Sequence, residues 1–124
     1  EYERLANKAI FVMPQIEDVA TLAVLDDFVK VRGIDAIAIG PNDMSGTAGL
    51  FRDAGHPEIL AAIDRICAAA SAQGVPVCLG INTPASAQRG WVAKGVRILT
   101  VAADVELVAA GAGRALDETL KALG

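Results

Sequence analysis

A chain of 124 residues, 53% hydrophobic and 21% charged, has the length of one domain and too much apolar material for a disordered linker. Eleven Lys and Arg against fifteen Asp and Glu give a net charge of −4, and one Trp, one Tyr and three Phe offer few stacking groups, so no nucleic-acid partner is expected. No apolar run approaches the ~20 residues that span a bilayer, and Glu1 to Lys8 is too charged for a signal-peptide core, so no membrane partner is expected either.

Four short apolar runs read as buried strands: Ile10 to Met13, Ile34 to Ile39, Val75 to Ile81 and Val96 to Val101. Each is rich in β-branched residues and bounded by Gly or Pro. Between them, apolar residues recur at helical spacing. Asp18 to Val31 does so through Val19, Leu22, Leu25, Phe28 and Val29, and Pro57 to Gln73 through Ile59, Leu60, Ile63, Ile66 and Cys67. Ala85 to Lys94 and Asp104 to about Leu123 complete the helices, with Thr83 and Asp104 expected as N-caps. Cys67 and Cys78 lie in apolar surroundings without CxxC spacing, which predicts buried free thiols and a reducing compartment, the cytoplasm. Trp91 and Phe51 are expected to pack.

One pattern recurs three times: Val31-Arg32-Gly33, Ala72-Gln73-Gly74 and Ala93-Lys94-Gly95 each precede an apolar run. A Gly there takes the left-handed position that closes a helix at little steric cost. The repeat of helix, Gly and buried strand predicts an α/β fold with a parallel sheet. A doubly wound sheet calls for a glycine-rich turn after its first strand, and Pro14-Gln15-Ile16-Glu17 has none. A (β/α)8 barrel needs eight strands, of which four are present. Alternation alone leaves both architectures open; the arrangement of polar residues at the strand ends favours the barrel or a piece of one, with 1–124 expected as one partial domain of four βα units of a TIM barrel.

In such barrels the reacting groups stand at the C-terminal ends of the strands. Those ends deliver Pro14-Gln15-Ile16-Glu17, then Gly40-Pro41-Asn42-Asp43-Met44-Ser45, then Asn82, then Asp104. Glu17 and Asp43 fall one βα unit apart, at the ends of adjacent strands about 4.8 Å apart. Two carboxylates that close, with no Lys or Arg in either loop, call for a shared proton or a divalent cation. A hard ion such as Mg²⁺ or Mn²⁺ suits them. The plainer reading stands beside this one: Glu17-Asp18 can serve a helix N-terminus, Asn42-Asp43 can be turn chemistry and Ser45 a cap. His56, the only histidine, sits just before a helix and reads as a capping-region residue.

The run Val12-Met13-Pro14-Gln15-Ile16-Glu17, then Gly33 through Ser45, then Gly55-His56-Pro57-Glu58 resembles the HpcH/HpaI aldolase family, class II metal-dependent pyruvate aldolases on a (β/α)8 barrel. The resemblance extends to the last helix and corresponds to the C-terminal half of that barrel. It implies aldol cleavage or condensation of 4-hydroxy-2-oxo acids, with pyruvate and an aldehyde as the partners and Mg²⁺, Mn²⁺ or Co²⁺ as the cofactor. Glu17 and Asp43 match the family's metal ligands. The N–H groups of Asn42 and Asp43 would hold the pyruvate carboxylate, with Gln15 lining the pocket. The ion would act as a Lewis acid that stabilises the pyruvate enolate. The resemblance also implies a homo-oligomer, commonly a hexamer that exchanges its last helix.

No residue matches the family's catalytic Arg or its His–Asp pair, which belong to the other half of the barrel, and His56 does not take that role. This half alone is expected to be inactive. Gly80 falls where relatives commonly carry a pocket-shaping Leu, which bears on the aldehyde. Two rival readings remain: a citrate-lyase-like or malyl-CoA-lyase-like C–C lyase, and a non-catalytic half-barrel that self-associates through its open sheet edges.

Overall fold

The computed structural model describes residues 2–80 and 85–124. In chain order the elements are α1 (Tyr2–Ala9), β1 (Gln15–Ile16), a 3₁₀ turn (Val19–Ala23), α2 (Leu25–Phe28), β2 (Ile37–Ile39), α3 (Pro41–Thr47), α4 (Pro57–Ala72), β3 (Val77–Leu79), α5 (Ala85–Ala93), β4 (Val96–Leu99) and α6 (Asp104–Leu123). The four strands form one sheet in the order β1-β2-β3-β4, every pair parallel. Parallel neighbours joined by crossovers that contain helices are the repeating unit of α/β folds.

The strands alternate their faces with period two. Ile16, Ile37, Ile39, Val77, Leu79 and Val96 pack into one core with Leu25, Val29, Met44, Ile59, Ile63, Ile66 and Ala70. Ala38 and Cys78 are buried outside that cluster, on the opposite face. A register shift in the β3–β4 pair keeps the pattern intact. Val77 pairs with Val96 but Cys78 with Ile98, so Arg97 is an extra residue in β4. Val96 and Leu99, three apart, thereby both reach the core side, which strict alternation forbids. The Arg97 guanidinium bonds the Val92 and Val96 carbonyls at 2.9 and 3.0 Å.

Gly33, Gly74 and Gly95 have φ of +90°, +70° and +102°, as the repeated pattern predicts. Helix α4 begins at Pro57 with His56 as its N-cap, whose Nδ1 accepts from the Glu58 N–H at 3.3 Å. Both cysteines are free and buried. Burial pushes both thiols above their ordinary pKa; the Asp64 carboxylate pushes Cys67 further and the Lys94 ammonium opposes it. They are held neutral and are poor nucleophiles.

Several expectations are corrected. The first strand is assigned at Gln15–Ile16, beyond the Ile10 to Met13 run, which stays exposed at the sheet edge. Parallel bonding nonetheless starts early: the Asp35, Ala38 and Gly40 N–H groups donate to the Val12, Pro14 and Ile16 carbonyls at 2.9 Å each. The helix expected over Asp18 to Val31 splits into the 3₁₀ turn and the four-residue α2. Asp18 caps the turn by accepting from Ala20 N–H at 2.8 Å, and β-branched Val19, Thr21 and Val24 crowd a regular helix there. Asp104 is the first residue inside α6 rather than its cap, which is Ala103. Phe51 does not pack; it is 92% exposed, because Leu50 takes the place against the core. Helix α1 had no forecast. Ile81, Asn82 and Thr83 lie outside the described residues. Helix α6 buries no residue and leaves Val105, Leu107, Val108, Leu116, Leu120 and Leu123 exposed. Among the described residues no helix is long and apolar enough to cross a membrane.

Candidate active site

Gln15 and Ile16 share β1 but face opposite ways, the first exposed and the second buried. Glu17, two residues after Gln15, returns to the Gln15 face. Gln15 Nε2 accordingly donates to Glu17 Oε2 at 2.6 Å. Directly beside this pair stands Gly40, the residue that follows β2. A Cβ on Gly40 would stand 2.7 Å from Gln15 Nε2, 3.1 Å from Glu17 Cβ and 3.4 Å from Glu17 Oε2. The pair lies over the end of β2 only because residue 40 has no side chain.

Pro41 then opens α3, the residue type best suited to a first helical position. Met44 and Ser45 are fully buried, and Ser45 Oγ donates to the Asn42 carbonyl at 2.7 Å. Those anchors leave Asn42 and Asp43 exposed in the first turn. The first bond back along the helix is donated by Met44 N–H to the Gly40 carbonyl at 2.9 Å. The N–H groups of Asn42 and Asp43 precede it and need another partner. The Val19 N–H donates to Thr47 Oγ1 at 3.1 Å, which ties the segment after Glu17 to the far end of α3. On the other side, Gly80 N–H donates to the Ile39 carbonyl at 2.9 Å, and a Cβ on Gly80 would stand 2.8 Å from that oxygen.

The strand ends thus bring Gln15, Glu17, Asn42 and Asp43 to one rim of the sheet. Asp104 Oδ1 accepts from Val105 N–H at 2.8 Å at the start of α6. Asn82 lies outside the described residues. The expected cap role of Ser45 gives way to an internal helix position. Sequence reasoning did not assign Gly40 its steric part; its signal was a Gly immediately after an apolar strand. Arg52, beside this rim, carried no signal at all.

Two carboxylates and two carboxamides at strand ends suit a hard divalent cation with free positions for substrate and water. Among the described residues no group of three or more His, Cys, Asp or Glu gathers as a metal site. The glycine-made space over β2 lets the Glu17 carboxylate, oriented by Gln15, stand at the rim; the donors fit such an ion.

The architecture is four βα units of a parallel barrel with acidic groups at the strand ends, the layout of a TIM-barrel enzyme site. The family model described as HpcH/HpaI aldolase/citrate lyase matches residues 1–110, and the chain belongs to this family. It is 35% identical over 112 residues to a 4-hydroxy-2-oxo-heptane-1,7-dioate aldolase of Salmonella typhimurium, covering 90% of this chain and 42% of that protein. It is 37% identical over 110 residues to a 2-keto-3-deoxy-L-rhamnonate aldolase of Salmonella schwarzengrund, covering 86% and 39%. A solved HpcH/HpaI aldolase/citrate lyase family protein from Burkholderia cenocepacia superposes with a TM-score of 0.85 at 29% identity, over 95% of this chain and 46% of that one. The chain spans about half the length of the relatives it matches or less, and the sheet is half of a (β/α)8 barrel.

Proposed function

We propose that this sequence supplies the metal-binding half of an aldolase that cleaves or forms 4-hydroxy-2-oxo acids, with pyruvate as one product. The observation that carries the reading is the Gln15–Glu17 pair seated on Gly40 beside the opening of α3, in a chain of this family. In this reading Glu17 and Asp43 hold a divalent cation, Mg²⁺, Mn²⁺ or Co²⁺. Bound there, the ion supplies the positive charge against which negative charge developing on the substrate keto oxygen is stabilised.

The chain's own groups do the rest of the positioning. Gln15 fixes the rotamer of Glu17 through its amide, so the ligand is preorganised. The Asn42 and Asp43 N–H groups, which precede the first helical bond, donate to the pyruvate carboxylate. Buried Met44 and Ser45 hold that turn in place. The groups that move the proton come from the other half of the barrel. The relatives' names leave the far end of the substrate open, since a dioate carries a second carboxylate and a rhamnonate does not. The exposed apolar residues of α6 support association of the complete enzyme into a homo-oligomer.

The test is pyruvate release from a 4-hydroxy-2-oxo acid by a complete barrel containing this sequence, with and without EDTA. Chelation and Asp43→Asn should each lower the rate by at least about a hundredfold, within the several kcal/mol a Lewis acid contributes. Activity untouched by both would overturn the metal role. Cleavage only of an acyl-CoA substrate would favour the malyl-CoA-lyase-like alternative.

A further inference from the structure

Beside the rim lies an open recess of about 880 Å³ lined by Asn42, Asp43, Gly46, Thr47, Phe51 and Arg52. Arg52 is the one cation in that lining. Its guanidinium has no ion pair or hydrogen bond among the described residues, where the ion pair present joins Lys94 to Asp64. The turn that presents it is costly. Phe51 and Arg52 are consecutive non-glycine residues with φ of +40° and +60°, a conformation L side chains rarely adopt. Such backbone persists when its surroundings over-determine it. Here Leu50 N–H donates to the Ser45 carbonyl at 2.8 Å on one side, and His56 N–H to the Asp53 carbonyl at 3.1 Å on the other. Gly55 N–H donates to Asp53 Oδ1 at 3.1 Å, which holds that neighbouring carboxylate in the turn. The result is an exposed aromatic ring and an unpaired guanidinium beside the residues proposed to hold pyruvate.

Resting on the aldolase reading, we propose that Arg52 is a specificity-determining residue that receives a second anionic group, at the far end of the 4-hydroxy-2-oxo acid. Guanidinium is the side chain suited to this, since its fork pairs with a planar carboxylate through two parallel hydrogen bonds. The pyruvyl end is claimed by Asn42, Asp43 and the cation. The same recess is lined by Asn42 and Asp43, by Gly46 and Thr47 further along α3, and by Arg52, so it offers room for a chain that extends from the pyruvyl end. Gly46 has open space where a Cβ would stand, which leaves the path along α3 clear.

The experiment is kinetic, on a complete barrel containing this sequence. Pyruvate release is measured with two substrates of equal length, one ending in a carboxylate and one in a neutral group. Expected is a preference for the carboxylate in the parent, reduced roughly tenfold or more in kcat/KM ratio by Arg52→Gln, mostly through KM, as for a charged hydrogen bond. Arg52→Lys should recover part of it, and raised salt should weaken the parent's preference. A ratio unchanged by Arg52→Gln, or a loss equal for both substrates, overturns the assignment while leaving the aldolase reading standing. A parent that releases pyruvate from neither acid overturns both.

Discussion

Gly40→Ala tests the architecture of the strand-end site most directly. The added Cβ would stand 2.7 Å from Gln15 Nε2 and 3.1 Å from Glu17 Cβ, where carbon contacts settle near 3.5–4.0 Å. Backbone conformation is not the obstacle, since φ at Gly40 is −105°. The two clashes relax differently. The Gln15 amide is the end of a flexible side chain and can swing aside, which breaks its 2.6 Å bond to Glu17. Glu17 Cβ is one bond from the main chain and moves only with β1. Overpacking ordinarily costs about 1–3 kcal/mol; an exposed rim that can yield puts this case near 1 kcal/mol. The loss in metal affinity should be larger in effect. Removing a group that orients a ligand typically costs about 10- to 100-fold in affinity. The assay pairs urea unfolding of a complete barrel with Mn²⁺ titration. Gln15→Leu, which removes the bond without crowding β2, separates orientation from sterics. Mn²⁺ affinity within twofold of the parent in both variants would refute the reasoning, since the pair would then not hold the ion.

Gly80→Ala should damage stability more than Gly40→Ala, by about 1–3 kcal/mol, because its Cβ would meet the Ile39 carbonyl at 2.8 Å and a backbone oxygen cannot swing away. Denaturation midpoints of the two variants check the order. The thiols set a pH dependence. Burial raises the folded-state pKa of Cys67 and Cys78 above the unfolded value, so their contribution is fully present below the unfolded pKa, about 8.5, and is lost as pH rises through the folded one. Stability should therefore fall on the alkaline side, and Cys67→Ala should blunt that fall; a parallel curve would count against it. At pH 8 both thiols should react slowly with a disulfide reagent when folded and readily in denaturant.

Much of the fold is legible in local sequence. The bounds of α4 and α6 follow from helical spacing of apolar residues, and Gly33, Gly74 and Gly95 take the positive φ their positions predict. These signals lie within a few consecutive residues, so no partner is needed to read them. The split after Asp18 was harder, because the apolar stripe continues through residues whose β-branching favours a tighter turn. The start of the first strand was misplaced for a related reason. Ile10 to Met13 is as apolar as a buried strand, yet only its bonding partners on β2 decide which residues pair.

The amino-acid sequence by itself determined the alternation of helix and strand, the parallel sheet it implies, and Glu17 and Asp43 as a pair at adjacent strand ends, all of which depend on spacing along the chain. Gln15 and Asn42 were singled out by the family resemblance of the motifs that hold them. Only the tertiary structure decided that Gly40 makes room for the Gln15–Glu17 pair, that the extra Arg97 turns Leu99 back toward the core, and that Phe51 and Arg52 stand out beside Asp43. Those facts are contacts between residues distant in sequence. Sheet register, helix packing and a strained turn set them together, and no local propensity encodes them.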